Sequence, residues 1–224
     1  MSGRVEVSLA PELANRVRLG VLALDGVTVR EQDPSLDAEI EAYAGELRAR
    51  YGQARSAEVP GAEDARALYK ALRLDPTKTR PSNEALLRRV LKGEALYRVN
   101  TLVDALNLCS LRFQLPFGLY DLGRVVPPVA LRMGRAGEGY EGIRKGRVNV
   151  EARPVLVDAE GPFGNPTSDS ARTMITLATR RALVTAYAPA GYSLKRLEEV
   201  LDGTERTLVQ ACGGSRTDRL LLPA

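Results

Sequence analysis

The residues best suited to chemistry lie in one short stretch, residues 161–170, with the sequence Gly-Pro-Phe-Gly-Asn-Pro-Thr-Ser-Asp-Ser. Its two prolines fix backbone angles, and its two glycines permit unusual angles or the close approach of a ligand. Five small polar side chains follow within six residues. Such a segment can present several N–H and O–H groups at one point, as an oxyanion or ester pocket requires. The alternative is an elaborate turn with Asx and Ser/Thr caps; we favour a site.

A second candidate is the basic stretch at residues 141–147, Glu-Gly-Ile-Arg-Lys-Gly-Arg. Arg and Lys side chains close to a glycine-rich backbone are suited to binding anionic oxygens, above all phosphate. The alternative is a hairpin tip whose charges face only solvent. The sequence leaves both interpretations open.

The residue counts exclude several common enzyme designs. The chain contains no histidine, which rules out a Ser-His-Asp triad, a Cys-His dyad, an HExxH zinc site and an imidazole base. Neither a Walker A loop nor a GxSxG elbow is present. The carboxylates of residues 138–169 permit a paired-carboxylate mechanism, but nothing in their spacing favours it over surface placement. We expect no metal ion and no cofactor.

Composition predicts a globular protein of 224 residues, 44% hydrophobic and 27% charged, with a core of Leu, Val, Ala and Ile. The net charge of +4 permits an anionic partner such as RNA without requiring one. Cys109 lies in an apolar helical pattern and is expected to be a buried thiol. Neither an apolar leader nor a run of about 18 apolar residues is visible. We therefore expect a soluble, cytoplasmic protein with no membrane partner.

The pattern along the chain predicts an α+β fold, rich in helices first and in strands later. Residues 5–9 and 17–24 are expected to be strands, followed by helices capped by Asp33, by Ser82, and by Asn100 or Thr101. From residue 115 short apolar runs alternate with turns, which indicates strands, and residues 174–177 and 182–187 are expected to be two more. A last helix from about residue 194 ends at Gly213-Gly214.

Three further segments precede the basic stretch and carry a family resemblance. They are TRPSNEALLRR at residues 79–89, NTLVDALN at residues 100–107 and QLPFGLYD at residues 114–121. With the basic stretch and residues 161–170, in this order, they resemble the B3/B4 domain of the phenylalanyl-tRNA synthetase beta subunit. The resemblance covers about residues 63–188, more than half of the chain.

In the synthetase this domain is the editing module, which hydrolyses the ester of tRNA charged with tyrosine instead of phenylalanine. The resemblance therefore implies a layered α+β fold, with a central β-sandwich-like sheet core flanked by helices and a pocket for the aminoacylated 3′ end of tRNA. We expect three divisions: an N-terminal strand-strand-helix extension (1–58) packed on the core, the tRNA-editing or tRNA-binding domain (59–214) and a C-terminal tail (215–224). The extension lies outside the main resemblance; the alternative is a small accessory tRNA-contacting lobe, against which its acidic run argues. The oligomeric state is left open.

The resemblance also implies roles for individual residues. Those expected to act in catalysis are Asn165, Thr167, Ser168 and Asp169. Those expected to bind the aminoacyl group are Gly161, Phe163, Gly164, Gly118, Asn107, Thr173 and Thr176. Those expected to bind RNA are Arg80, Arg144, Lys145 and Arg147.

Two positions depart from the synthetase pattern. Gly118 stands where bacterial synthetases place a pocket histidine, and Thr179 stands near the place of a pocket glutamate. Tyrosine specificity is therefore not inherited. The leading interpretation is a freestanding trans-editing factor, an aminoacyl-tRNA deacylase and not a full tRNA ligase. The alternatives are a non-catalytic RNA- or aminoacyl-tRNA-binding module and a sensor of free amino acid.

Overall fold

The computed structural model describes residues 5–223, which form five α-helices and eleven β-strands. The helices are α1 (Pro34–Tyr51), α2 (Ala62–Ala71), α3 (Ser82–Leu91), α4 (Thr101–Phe113) and α5 (Leu194–Cys212). The first six strands are β1 (Val7–Leu9), β2 (Val17–Asp25), β3 (Phe117–Asp121), β4 (Val129–Met133), β5 (Gly139–Glu141) and β6 (Arg147–Asn149). The others are β7 (Pro154–Asp158), β8 (Gly161–Asn165), β9 (Ser168–Asp169), β10 (Arg181–Pro189) and β11 (Ser215–Leu222).

The strands form three sheets, with orders β1-β4-β7-β8-β9, β11-β2-β10-β3 and β5-β6. In the four-stranded sheet β2 pairs antiparallel with both β10 and β11. Alternate β2 side chains point to opposite faces, as strand geometry requires. Leu19 and Val21 join the apolar layer between the two large sheets, whereas Leu22 and Leu24 pack in the cluster formed with the helices. The expected α+β fold with a sandwich-like core flanked by helices is confirmed.

Helix starts follow local capping chemistry in two cases. The Asp33 side chain accepts hydrogen bonds from the N–H groups of Ser35 and Leu36, and Asn100 Oδ1 accepts one from Val103 N at 3.0 Å. Both satisfy donors that the first helical turn would otherwise leave free. The expected Ser82 cap is wrong: α3 begins at Ser82 after Pro81, and the Ser82 hydroxyl bonds Pro166 O instead.

Two further sequence expectations differ from the structure. Residues 174–177 are an irregular segment and not a strand, because Thr176 and Thr179 close a turn on each other: Thr176 N donates to Thr179 Oγ1 at 3.0 Å. The C-terminal segment forms β11 on the edge of the four-stranded sheet where a tail was expected. The first strand of the expected N-terminal extension lies at a sheet edge, but β2 lies inside a sheet.

Burial elsewhere follows the sequence pattern. Both Cys109 and Cys212 are buried free thiols.

Across residues 5–223, no helix combines the length and apolar character needed to span a bilayer. The same residues contain no group of three or more His, Cys, Asp or Glu side chains placed to hold a metal ion.

Candidate functional site

A cavity of about 1000 Å³ lies on the helix side of β3, between α4 and the loops at one end of the five-stranded sheet. Its apolar wall comes from α4 and β3 and includes Leu106, Phe117 and Leu119. A polar wall is formed by Thr167, Ser168 and Asp169, from the turn after β8 and from β9. One cavity therefore combines an apolar wall with a cluster of hydroxyl and carboxyl groups, as small-molecule sites commonly do.

The polar wall is held in place by its own backbone and by two helices. Asn165 Oδ1 accepts hydrogen bonds from Thr167 N at 2.8 Å and from Ser168 N at 2.9 Å, which closes an Asx turn. The Pro166 carbonyl accepts from Tyr69 Oη on α2 at 3.1 Å and from Ser82 Oγ on α3 at 3.2 Å. The turn is thereby fixed against the helices, with Thr167 and Ser168 lining the cavity.

The turn is also fixed through side chains. Tyr69 Oη lies 2.9 Å from Thr167 Oγ1, and burial raises the pKa of Tyr69 to about 12, so this phenol stays protonated. Tyr140 on β5 donates from its hydroxyl to the Ser168 carbonyl at 2.5 Å. Each bond crosses between separate elements, so the orientation of Thr167 and Ser168 depends on tertiary contacts rather than on the turn alone.

Lys145 brings a positive charge to the polar wall. Its Nζ donates to Ser168 Oγ at 2.5 Å, which links the basic turn between β5 and β6 to β9. Lys145 and Arg144 both line the cavity. A hydroxyl bonded to an ammonium group forms a charge-assisted pair that can stabilise negative charge on a ligand.

Asp169 is the carboxylate of this wall. Its Oδ1 is buried and has no hydrogen-bond partner within residues 5–223. Desolvation raises the pKa of Asp169 to about 7, although the nearby Tyr120 hydroxyl, the Leu119 N–H and the charge of Lys145 act in the opposite direction. Carboxyl groups whose pKa is strongly shifted are concentrated at functional sites.

The mouth of the cavity is apolar and basic. Four of its side chains are large, apolar and at least 38% exposed: Val99, Ile143, Met174 and Leu177. Arg98 and Arg144 lie among them, and Arg98 is paired with Asp37 and Glu41 of α1. Exposed apolar side chains grouped around a cavity indicate a binding surface rather than ordinary surface scatter.

The cavity brings together about half of the residues that the sequence singled out. Seven line it: Asn107, Arg144, Lys145, Thr167, Ser168, Asp169 and Thr176. The other eight lie outside its lining: Arg80, Gly118, Arg147, Gly161, Phe163, Gly164, Asn165 and Thr173. Asn165 nevertheless shapes the site, because its side chain builds the turn that presents Thr167 and Ser168.

Three of the outside residues surround Tyr120 in the sandwich. Phe163 packs edge-on against the Tyr120 ring with 4.9 Å between centroids. A Cβ at Gly118 would lie 2.2 Å from the Tyr120 hydroxyl, and one at Gly164 would lie 2.3 Å from it. Gly118 alternates along β3 with Phe117 and Leu119, which line the cavity, so it faces the opposite side.

The remaining outside residues have local partners. Gly161, with φ of +116°, makes the tight turn from β7 to β8. The Thr173 hydroxyl lies 3.0 Å from Ser170 Oγ. Arg80 lies 3.8 Å from the Glu84 carboxylate. Arg147 donates to the Gly137 carbonyl at 3.0 Å.

Sequence reasoning missed several contributors to the site. Tyr69 and Ser82 support the turn from separate helices, and Tyr140 supports it from β5. Met174 and Leu177 were expected in a strand but lie at the cavity mouth. Only the exposure of these two apolar side chains marks them, and a sequence does not show exposure.

Comparisons with known proteins agree with this architecture. A solved structure, an N-terminal fragment of the phenylalanyl-tRNA synthetase beta-subunit from Pyrococcus horikoshii, matches with a TM-score of 0.50 and 12% identity, over 99% of this chain and 55% of that one. The chain thus spans about half of that fragment, and at this identity the match shows a shared fold. No curated protein matches the chain. The family model described as "B3/4 domain" matches residues 64–203, so the chain belongs to the B3/4 domain family.

Proposed function

We propose that this chain acts as a deacylase, which hydrolyses the ester of mischarged aminoacyl-tRNA in the cavity beside β3. The single observation that carries the proposal is the cluster of Thr167, Ser168, Asp169 and Lys145 on one wall of a cavity of about 1000 Å³. The resemblance to the synthetase editing module and the shared fold with a synthetase beta-subunit fragment favour a tRNA substrate over other esters.

The dimensions of the cavity suit one aminoacyl-adenosine end. Pockets for drug-sized ligands typically hold about 300–1,000 Å³, and this cavity is at the top of that range. Leu106, Phe117 and Leu119 offer an apolar surface for an amino-acid side chain. The apolar mouth formed by Val99, Ile143, Met174 and Leu177 suits the face of the terminal base.

The basic turn suits the phosphates that follow that base. Arg144 is exposed beside the mouth, and Arg147 lies in the next strand. Arginine contacts to phosphate position a nucleic acid without specifying its sequence.

In the proposed reaction a water oxygen attacks the carbonyl carbon of the ester. The Thr167 and Ser168 hydroxyls hold the water and the carbonyl, and the Lys145 ammonium stabilises the oxyanion of the tetrahedral intermediate. The bond between the carbonyl carbon and the ribose oxygen then breaks. The water proton passes to that leaving oxygen through the neighbouring ribose hydroxyl, which leaves a free amino acid and an uncharged tRNA.

The test is deacylation of a panel of correctly and incorrectly charged tRNAs by the purified protein, with Ser168→Ala beside wild type. We expect rapid release from one mischarged species, sparing of the correctly charged tRNA, and a loss of roughly 100-fold in Ser168→Ala. Salt-sensitive tRNA binding without any release would instead support the non-catalytic binding module. Binding of free amino acid with no tRNA affinity would support the sensor.

A further inference from the structure

Asp169 carries a feature that ester hydrolysis by water does not use. Asp169 lines the cavity, and within residues 5–223 its Oδ1 is buried without a hydrogen-bond partner. The nearest cation, Lys145, directs its Nζ to the Ser168 hydroxyl. The other titratable groups that face Asp169 are the phenols of Tyr120, Tyr140 and Tyr187, which burial keeps neutral by raising the pKa of each.

A carboxylate in this position is a strong site for a cation. Burying an unpaired charge is costly, and the cost is relieved either by a proton or by an opposite charge. Residues 5–223 give Asp169 no salt-bridge partner, so a proton relieves this cost in the empty cavity and a positively charged ligand group can take the place of that proton. The aminoacyl end of a tRNA carries one positive group, the α-ammonium of the amino acid.

We propose that Asp169 binds the α-ammonium of the aminoacyl group and restricts the substrates to esters of amino acids with an unblocked α-amine. The proposal rests on the proposed function and names its substrate class. Esters whose amine is acylated, such as N-acetylaminoacyl- or peptidyl-tRNA, lack the positive charge and are excluded. Esters of α-hydroxy acids lack it too and are also excluded.

The position of Asp169 beside Ser168 fits this assignment. The two residues are adjacent in β9, and Ser168 is bonded to Lys145. In an aminoacyl ester the amine nitrogen and the carbonyl carbon are only two bonds apart. An ammonium held at Asp169 therefore places the ester carbonyl within reach of Ser168 and Lys145.

The test uses adenosines in which an amide at the 3′ position replaces the ester, because these analogues bind without being hydrolysed. Three versions of one apolar amino acid are compared by titration calorimetry: the free amine, the α-hydroxy analogue and the N-acetyl derivative. We expect wild type to bind the amine at least about tenfold more tightly than either neutral analogue. Because hydroxyl and amine have nearly the same size, this comparison separates charge from fit.

The variant Asp169→Asn keeps the shape of the side chain and removes its charge. We expect it to lose about tenfold in affinity for the amine and to bind the α-hydroxy analogue as wild type does. The control Asp202→Asn removes a half-exposed carboxylate on α5, outside the cavity, and should bind all three analogues as wild type does. The comparison of analogues on wild type needs no variant, so poor folding of Asp169→Asn does not obscure the result.

The outcomes separate this proposal from the deacylase proposal. Equal affinity of wild type for the amine and the α-hydroxy analogue overturns the ammonium site and leaves deacylation standing. An Asp169→Asn variant that binds the amine normally but no longer hydrolyses charged tRNA also overturns it, because Asp169 would then act on water. A clear amine preference in a protein that hydrolyses no charged tRNA supports the ammonium site and rejects the deacylase.

Discussion

The Nζ of Lys145 lies 2.5 Å from the Oγ of Ser168, and this contact joins the turn between β5 and β6 to strand β9. The two residues are far apart in the sequence, yet they form one charge-assisted pair at the cavity wall. A hydroxyl polarised by an ammonium group is suited to stabilising an oxyanion. The catalytic part of the proposed site thus depends on the packing of a hairpin against a sheet edge.

Removing the Lys145 charge should therefore slow hydrolysis. We expect Lys145→Met, which keeps most of the side-chain length, to lower the rate of deacylation of the mischarged tRNA by roughly 100-fold, because one donor to the oxyanion is lost. The measurement is single-turnover release of the amino acid. The control Lys195→Met changes an exposed lysine on α5 and should leave the rate unchanged. A full rate in Lys145→Met would exclude Lys145 from the chemistry.

The raised pKa of Asp169 predicts how stability changes with pH. The folded protein holds this proton up to about pH 7, whereas the unfolded chain releases it near pH 3.8. Because the folded state binds more protons between these values, the free energy of unfolding falls as pH rises through that window and levels off above it. The contribution lost between pH 5 and pH 8 is about 3 kcal/mol.

Urea unfolding of wild type and Asp169→Asn at several pH values checks this prediction. The stability of the variant relative to wild type should increase from pH 5 to pH 7 and level off by pH 8. The comparison cancels other titrating groups, among them Asp104, whose pKa burial raises to about 6. A difference that does not vary with pH would show that Asp169 titrates at an ordinary pKa.

The contact of Gly164 with Tyr120 predicts a steric cost. A Cβ at Gly164 would lie 2.3 Å from the Tyr120 hydroxyl and 2.4 Å from a ring carbon, in a fully buried layer. We expect Gly164→Ala to lower the free energy of unfolding by about 1–3 kcal/mol, as overpacking of a core usually does. The measurement is the urea midpoint at constant slope.

Gly191→Ala is the matched control, because no atom lies within 4 Å of a Cβ built there and its φ is not in the left-handed region. Its midpoint should remain close to that of wild type. Equal stability of the two alanine variants would contradict the predicted clash with Tyr120.

Arg144 predicts the salt dependence of tRNA binding. We expect Arg144→Gln to weaken binding and to reduce the slope of log affinity against log salt concentration by about one unit, because one phosphate contact is lost. Fluorescence anisotropy with labelled tRNA at several salt concentrations gives that slope. Arg206→Gln, an exposed change on α5 away from the cavity, should keep the full slope. An unchanged slope in Arg144→Gln would place the phosphates elsewhere.

Helix caps made by neighbouring residues could be predicted from the sequence, but hydrogen bonds to residues far along the chain could not. The caps at Asp33 and Asn100 follow from side chains that reach their own helix. Ser82 has the same capping ability, but it is the first helical residue after Pro81 and not the N-cap, and its hydroxyl donates to the Pro166 carbonyl, 84 residues away. No pattern near Ser82 indicates that partner.

The sequence indicated which segment contributes to the site, but not which of its side chains line the cavity. Residues 161–170 do contain three residues of the cavity wall. The side chains of β8 alternate between its two faces, however, and Phe163 is buried in the core. The turn that follows β8 presents Thr167 to the cavity. Residues 174–177 have the apolar composition of a strand, and only their position at the cavity mouth explains their exposure. Strand β11 looks like a tail because its partner β2 lies about 190 residues earlier.

Strand β2 has a consequence for how the polypeptide can be shortened. The match to the family covers residues 64–203, and β2 and β11 both lie outside it. A fragment trimmed to those limits would keep β10 and lose the neighbour that pairs with it over nine residues. The edge of β10 would then expose unpaired backbone N–H and C=O groups beside apolar side chains. An edge of this kind can pair with a second copy of the fragment and so promote self-association. A fragment that keeps β10 paired over its full length therefore has to begin at or before Val17.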